Sequence, residues 1–147
     1  MNSFTILIVE DDAGDRELLR YAFGQSGMVV RLCEAADGEV AQAYLAGEGR
    51  YADRAAYPLP DLVLLDLKLP RKSGFEVLEW ARRQAPFKTL PILVLTSSSE
   101  TNDIDRAYAL GANSFLVKNV DLDEMTKVVT SIGEYAEIIV RAHRSTL

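Results

Sequence analysis

The sequence predicts one α/β domain in which five parallel strands alternate with five helices. Three observations predict it. Short apolar runs rich in β-branched residues alternate with longer segments of helical period. The runs are almost continuously apolar, as in strands buried on both faces of a parallel sheet. Finally, 147 residues, 48% of them apolar, supply a single core, and no repeat or long linker divides them. Residues 1–147 are therefore read as one domain.

The first run is FTILIV, Phe4–Val9. Leu18, Leu19, Ala22 and Phe23 then mark the inner face of a helix. MVVRLC (Met28–Cys33) is the second run, followed by a helix carrying Val40, Ala41, Ala43, Tyr44 and Leu45. The insert GEGRYADRAAYPLP (Gly47–Pro60) reads as a surface loop; its Gly47-x-Gly49 follows a helix instead of opening one, so it makes a poor phosphate cradle. DLVLL (Asp61–Leu65) precedes a helix with Phe75, Val77, Leu78 and Ala81. PILVL (Pro91–Leu95) precedes one with Ile104, Ala107, Tyr108 and Leu110, closed by Gly111. SFLV (Ser114–Val117) is the fifth run, and a last helix starts at Leu122.

Composition excludes several classes of function. A net charge of −6 argues against a nucleic-acid surface, which needs a basic patch. Cys33 stands alone, so no intramolecular disulfide forms; it reads as a small core hydrophobe in a reducing cytosol. Cys33 and the single His143 are too few for the usual zinc ligand set. MNSFTILIVEDD has no basic leader, and acids cut off its apolar run, so it is neither a signal peptide nor a membrane span. A cytoplasmic protein is expected.

In such a sheet, ligands sit beyond the carboxyl ends of the strands. The first strand ends in Glu10, Asp11 and Asp12, and LVLLDLKLP (Leu62–Pro70) delivers Asp66 at the end of the third. The fourth ends in Thr96, Ser97 and Ser98, the fifth in Lys118. Clustered carboxylates repel one another, and each raises the cost of ionising the next. A hard divalent cation such as Mg²⁺, with oxygen ligands, offsets that cost. Lys118 adds a fixed positive charge. A metal, a lysine and a hydroxyl converging on one aspartate suit phosphoryl transfer to that aspartate. Singly, each group has a structural reading: Asp12 as a helix cap, Lys118 as a solvated strand end. Together, at corresponding ends of separate elements, they point to a site.

ILIVEDD (Ile6–Asp12), LLDLKLPRKSG (Leu64–Gly74), LVLTSSS (Leu93–Ser99) and ANSFLVK (Ala112–Lys118) resemble the receiver domain of two-component response regulators. The resemblance covers nearly the whole chain. With its insert before the third strand and its DLKLPRKSG wording, the chain further resembles the small stand-alone receivers that serve bacterial phytochrome kinases. The resemblance implies a flavodoxin-like, doubly wound sheet of order 2-1-3-4-5. It also implies Asp66 as phosphoacceptor, Mg²⁺ on Asp11 and Asp66, and Glu10 acting through a metal-bound water. The backbone carbonyl of Lys68 completes the metal ligands. Thr96 and Lys118 meet phosphoryl oxygens, and Phe115 falls at the aromatic switch position. The implied partners are a sensor histidine kinase, of phytochrome type, and a histidine phosphotransfer protein. The domain is then a signalling switch that catalyses at most its own phosphorylation and dephosphorylation.

The chain departs from that pattern where most receivers carry a cis proline after the lysine. Here Asn119 follows, and a cis bond before a non-proline costs about 3 kcal/mol, so a trans bond is expected. Ser97 stands where the family prefers a very small residue. Phe115 lacks the hydroxyl of the commoner tyrosine and can be buried without a hydrogen-bond partner. Lys68 and Ser98 are expected near Asp66, where they set the lifetime of its phosphoryl group. The last helix, residues 122–147 at most, repeats apolar residues at Met125, Val128, Val129, Ile132, Ala136, Ile139 and Val140. From Leu122 to His143 it spans roughly 33 Å if continuous, against about 17 Å for a short strand. It therefore either overhangs the sheet or breaks near Gly133. Tyr135, Ile138, Ile139 and Val140 then need cover, which predicts a two-fold homodimer through this helix and the adjoining fourth-helix–fifth-strand face. Too little chain follows Lys118 for a DNA-binding module.

Three rival functions fit the residues less well. A pseudo-receiver scaffold has no need of Asp66, Asp11, Thr96 and Lys118 together. A phosphatase with an aspartyl nucleophile wants an acid two residues on, where Lys68 stands. A flavin binder needs a phosphate cradle after the first strand, where EDDAGD repels phosphate.

Overall fold

The computed structural model describes residues 4–119 and 121–145, with backbone alone at 140, 141 and 143–145. Strands β1 (Phe4–Val9), β2 (Val30–Ala35), β3 (Leu62–Leu65), β4 (Ile92–Thr96) and β5 (Ser114–Val117) alternate with five helices. The helices are α1 (Ala13–Gln25), α2 (Gly38–Ala46), α3 (Gly74–Arg83), α4 (Thr101–Ala109) and α5 (Leu122–Ser145). All strand pairings are parallel, in the order β2-β1-β3-β4-β5. This is the expected flavodoxin-like topology.

Alternation along each buried strand divides its side chains between two cores. Ile6, Ile8, Leu62, Leu64, Leu93 and Leu95 face α1 and α5, joining Leu19, Phe23, Met125, Val129 and Ile132. Leu7, Val9, Val63, Leu65, Ile92 and Val94 face the other way, onto Leu45, Phe75, Val77, Leu78 and Ala107 of α2, α3 and α4. Cys33 packs half-buried at the margin of this second core.

Two expectations need correction. The second strand starts at Val30, which pairs with Phe4, and not at Met28. Met28 instead lies against α5, where a Cβ added to Gly133 would come within 2.1 Å of its Sδ. Of the two courses open to the last helix, it takes the unbroken one, running through Gly133 without interruption. The insert is more than a surface loop: Tyr51 is buried in the core, and the rings of Tyr44, Tyr51 and Tyr57 pack with centroids 4.9 to 6.0 Å apart. Arg54 ties it down by donating to the carbonyls of Tyr44 and Leu45 (2.8 and 2.9 Å) in the last turn of α2.

The loop after β3 is pinned just as closely. Arg71 adopts a left-handed φ of 68° and meets Asp37 at 2.8 Å, while Asp37 caps α2 through the amide of Val40. Gly74, at the start of α3, donates to the Leu67 carbonyl (2.8 Å). A Cβ there would stand 2.1 Å from the Asp66 carbonyl oxygen, a distance no side chain tolerates. Gly74→Ala is therefore expected to cost roughly 1–3 kcal/mol in urea unfolding, as overpacking does. Gly24→Ala, in α1 with nothing within 4 Å, is expected to stabilise by about 0.5–1 kcal/mol. Equal midpoints for the two variants would contradict the close approach at Gly74.

Candidate functional site

Glu10, Asp66 and Lys118 each stand one residue beyond the end of a strand, yet the hydrogen-bond ladder still holds their amides. Glu10 N–H donates to Ala35 O (3.0 Å), Asp66 N–H to Val9 O (3.0 Å) and Lys118 N–H to Thr96 O (2.8 Å). The side chains thus leave the sheet edge from backbone as rigid as the strands themselves. Asp12 caps α1 by accepting from Gly14 N–H (2.8 Å), which turns the chain away directly after Asp11.

The site that results is buried and charged. Glu10 is 2% exposed, Asp66 6%, and Thr96 is wholly covered. Carboxylate oxygens of Glu10, Asp11 and Asp66 lie within 4.8 Å of one another. The Lys118 ammonium reaches Asp66 Oδ2 (3.0 Å), Asp15 Oδ2 (2.9 Å) and, in direct contact, Glu10 Oε1. Burial pulls the Lys118 pKa down, but the bonds to these three carboxylates outweigh it and hold the ammonium above the usual lysine range. Burial pushes the Glu10 carboxyl up to about 7, although Lys118 and the Asp12 amide both favour its charged form. Among the described residues, Thr96 Oγ1 is a buried side-chain oxygen with no hydrogen-bond partner. A cluster with more negative than positive charge and an unused buried hydroxyl suits a divalent cation and an incoming oxyanion together.

The structure brings Glu10, Asp11, Asp66 and Lys118 into one cluster. Thr96 closes the adjacent strand, its carbonyl holding the Lys118 amide. Lys68 offers Asp66 Oδ1 its backbone N–H at 3.4 Å, with its side chain exposed to solvent. The Ser98 hydroxyl donates to Asp103 Oδ2 (2.5 Å) and so serves the first turn of α4. The Lys118–Asn119 bond is trans, as expected, since no described peptide bond is cis. Phe115 is half-buried against the α3–α4 core, and its N–H donates to the Tyr108 hydroxyl of α4 (3.1 Å). In α5, Met125, Val129, Ile132 and Ala136 are buried by the chain's own core, and Ile139 packs on the same cluster. Tyr135 and Ile138 face outward; the Val140 side chain lies outside the described residues.

Asp15 escaped the sequence reading. It lies one helical turn after Asp11 and Asp12, on the side of α1 that turns back to the sheet edge. The spacing was visible in EDDAGD, but nothing in the sequence says that Lys118 comes to meet it.

The raised Glu10 pKa sets a sign for pH. Between its ordinary value of 4.5 and about 7, the folded chain holds a proton that the unfolded chain releases. Stability therefore falls as pH rises through that window, and the loss is complete above it. Without divalent metal, Glu10→Gln should gain stability relative to wild type as pH rises from roughly 5 to 8. Equal pH slopes in denaturant titrations would refute this, whatever constant offset the lost Lys118 bond introduces.

Comparison with known proteins agrees with the geometry. Response regulator Rcp1 of Synechocystis sp. is 35% identical over 130 residues, 88% of this chain and 86% of that protein. The crystal structure of the phosphorylated cyanobacterial phytochrome response regulator RcpA superposes with a TM-score of 0.83 at 35% identity, covering 91% of this chain and 94% of that one. The Mn²⁺-bound form of Rcp1 superposes with a TM-score of 0.78 at 36% identity, covering 88% and 91%. Residues 6–130 match the family described as the response regulator receiver domain. That match runs from β1 into α5 and takes in every carboxylate around Lys118, so the chain belongs to the response regulator receiver family.

Proposed function

We propose that this receiver accepts a phosphoryl group on Asp66 from the phosphohistidine of a sensor kinase, with Mg²⁺ bound. One observation carries the reading: a buried aspartate at a strand end, fixed by a lysine at 3.0 Å, faces two further carboxylates beside a buried, unpartnered threonine hydroxyl. In the transfer, one Asp66 carboxylate oxygen attacks phosphorus, the P–N bond to imidazole breaks, and the leaving nitrogen takes up a proton. Lys118 draws charge from one phosphoryl oxygen, and the free Thr96 Oγ–H donates to another. Glu10, Asp11, Asp66 and the Lys68 carbonyl form the metal's protein surroundings. Bound there, Mg²⁺ neutralises charge on the phosphoryl oxygens.

Phe115 and β5 relay the event by repacking against α4, and the output is a changed protein-binding face. The upstream partner we favour is a phytochrome-type kinase, because both Rcp1 and RcpA are response regulators and RcpA is described as serving a cyanobacterial phytochrome. A histidine phosphotransfer protein can receive the group in turn. The exposed Tyr135 and Ile138 (71% exposed) of α5 support a two-fold homodimer through that helix.

Incubation with acetyl phosphate and Mg²⁺ should leave an acid-stable, base-labile phosphoryl group on the wild type and none on Asp66→Asn. Equal labelling of both would remove Asp66 from the role. For the dimer, light scattering at micromolar concentration should give twice the chain mass, falling to the single mass in Ile138→Asp. A wild-type monomer would end that part of the proposal.

A further inference from the structure

Lys118 makes three ionic contacts, and an ammonium has three hydrogens. Glu10, Asp15 and Asp66 take one each, so in this arrangement none is left for a phosphoryl oxygen. One contact must give way when Asp66 is phosphorylated. Glu10 and Asp66 are buried, so water cannot solvate either carboxylate if it loses the ammonium. Asp15 stands apart from them, in the first turn of α1. Its side chain is 33% exposed, so water can solvate the carboxylate once it lets go. A small cavity of about 110 Å³ borders the pair, where Leu18, Leu95 and Met125 join Asp15 and Lys118 in the wall. It gives the lysine chain room to shift between apolar surfaces.

We propose that Asp15 is a positioning residue: it holds the Lys118 ammonium in the resting receiver and yields it to the phosphoryl group on Asp66. The proposal rests on the reading of Asp66 as phosphoacceptor. The Asp15 carboxylate competes with the phosphoryl oxygen for one hydrogen and repels the added negative charge, and both effects favour the resting state. Neutralising Asp15 therefore strengthens binding of a phosphoryl mimic. Because the competition runs through the ammonium, the gain depends on Lys118 being present.

The test has two arms. In metal-free protein, the Lys118 ¹⁵Nζ resonance should be protected from hydrogen exchange in the wild type and in Asp15→Glu, and lose protection in Asp15→Asn and Asp15→Ser. Unchanged protection in both neutral variants overturns the proposal. In the second arm, beryllium trifluoride with Mg²⁺, a mimic of the aspartyl phosphoryl group, is titrated calorimetrically. Asp15→Asn should bind it roughly three- to tenfold more tightly, the net scale of one hydrogen bond, with Asp15→Glu near wild type. In a Lys118→Ala background the same substitution should shift affinity by less than about twofold. Equal or weaker binding by Asp15→Asn overturns the proposal, and so does a gain that persists without Lys118, since bulk charge then explains it. If the wild type takes up no beryllium trifluoride, the phosphoacceptor reading fails, and the yielding step with it. The exchange arm then decides separately whether Asp15 holds Lys118.

Discussion

One ammonium group, shared among three carboxylates, joins segments far apart in this chain. Lys118 leaves the end of β5, and its partners come from the end of β1, the first turn of α1 and the end of β3. Taking four charges out of water is costly, and their attraction offsets that cost only where the geometry is good. The geometry is good because the sheet sets it: the amides of Glu10, Asp66 and Lys118 are rungs of the strand ladder. Burial on both faces, which the apolar strands require, is thus the condition for placing charge at the sheet's edge. The cluster stays short of positive charge, and its burial is what raises the Glu10 carboxyl to about 7.

The loop after β3 answers a second constraint. Asp66 keeps its place only if the chain behind it does not move, and the segment from Lys68 to Ser73 is irregular, with none of its residues buried. It is held by contacts that leave no room for substitution. Gly74 passes directly beneath the Asp66 carbonyl, and Gly38 has the Lys72 carbonyl where a Cβ would stand, at 2.1 Å. Asp37 serves two structures at once, capping α2 and meeting Arg71. The acid at the end of the apolar run is rigid from both sides, through the ladder before it and the glycine contacts after it.

Much of this was legible in the residues. β1 and β5 follow their apolar runs to the residue, and Asp12 and Gly111 mark a helix start and a helix end as their chemistry suggests. What escaped depends on contacts between distant segments. Met28 reads as strand because it is apolar and adjoins Val29 and Val30, but α5 claims it through Gly133. Ser98 reads as a hydroxyl near Asp66, and nothing in the sequence says that Asp103, five residues on, takes its hydrogen. Asp15 drew no reading of its own, because neither the i+4 spacing nor its charge tells which cation folds against it. Polar partners far apart in the chain leave no periodic trace, whereas apolar burial does.

The same geometry explains why a charge event at Asp66 would be felt first in β5. That strand has four residues and one neighbour, and none of its residues is fully buried. β3, by contrast, is flanked on both sides and buried throughout. The resistance of a segment to displacement scales with its buried contacts and paired amides, so β5 is the softest of the strands bearing site residues. Its outer edge is held at Phe115 by the exposed Tyr108, whose hydroxyl accepts the Phe115 N–H. Lys118 is continuous with this strand, and its own amide hangs on Thr96. A pull on the ammonium therefore reaches β5, and through Tyr108 the surface of α4, before any element with two-sided support can yield.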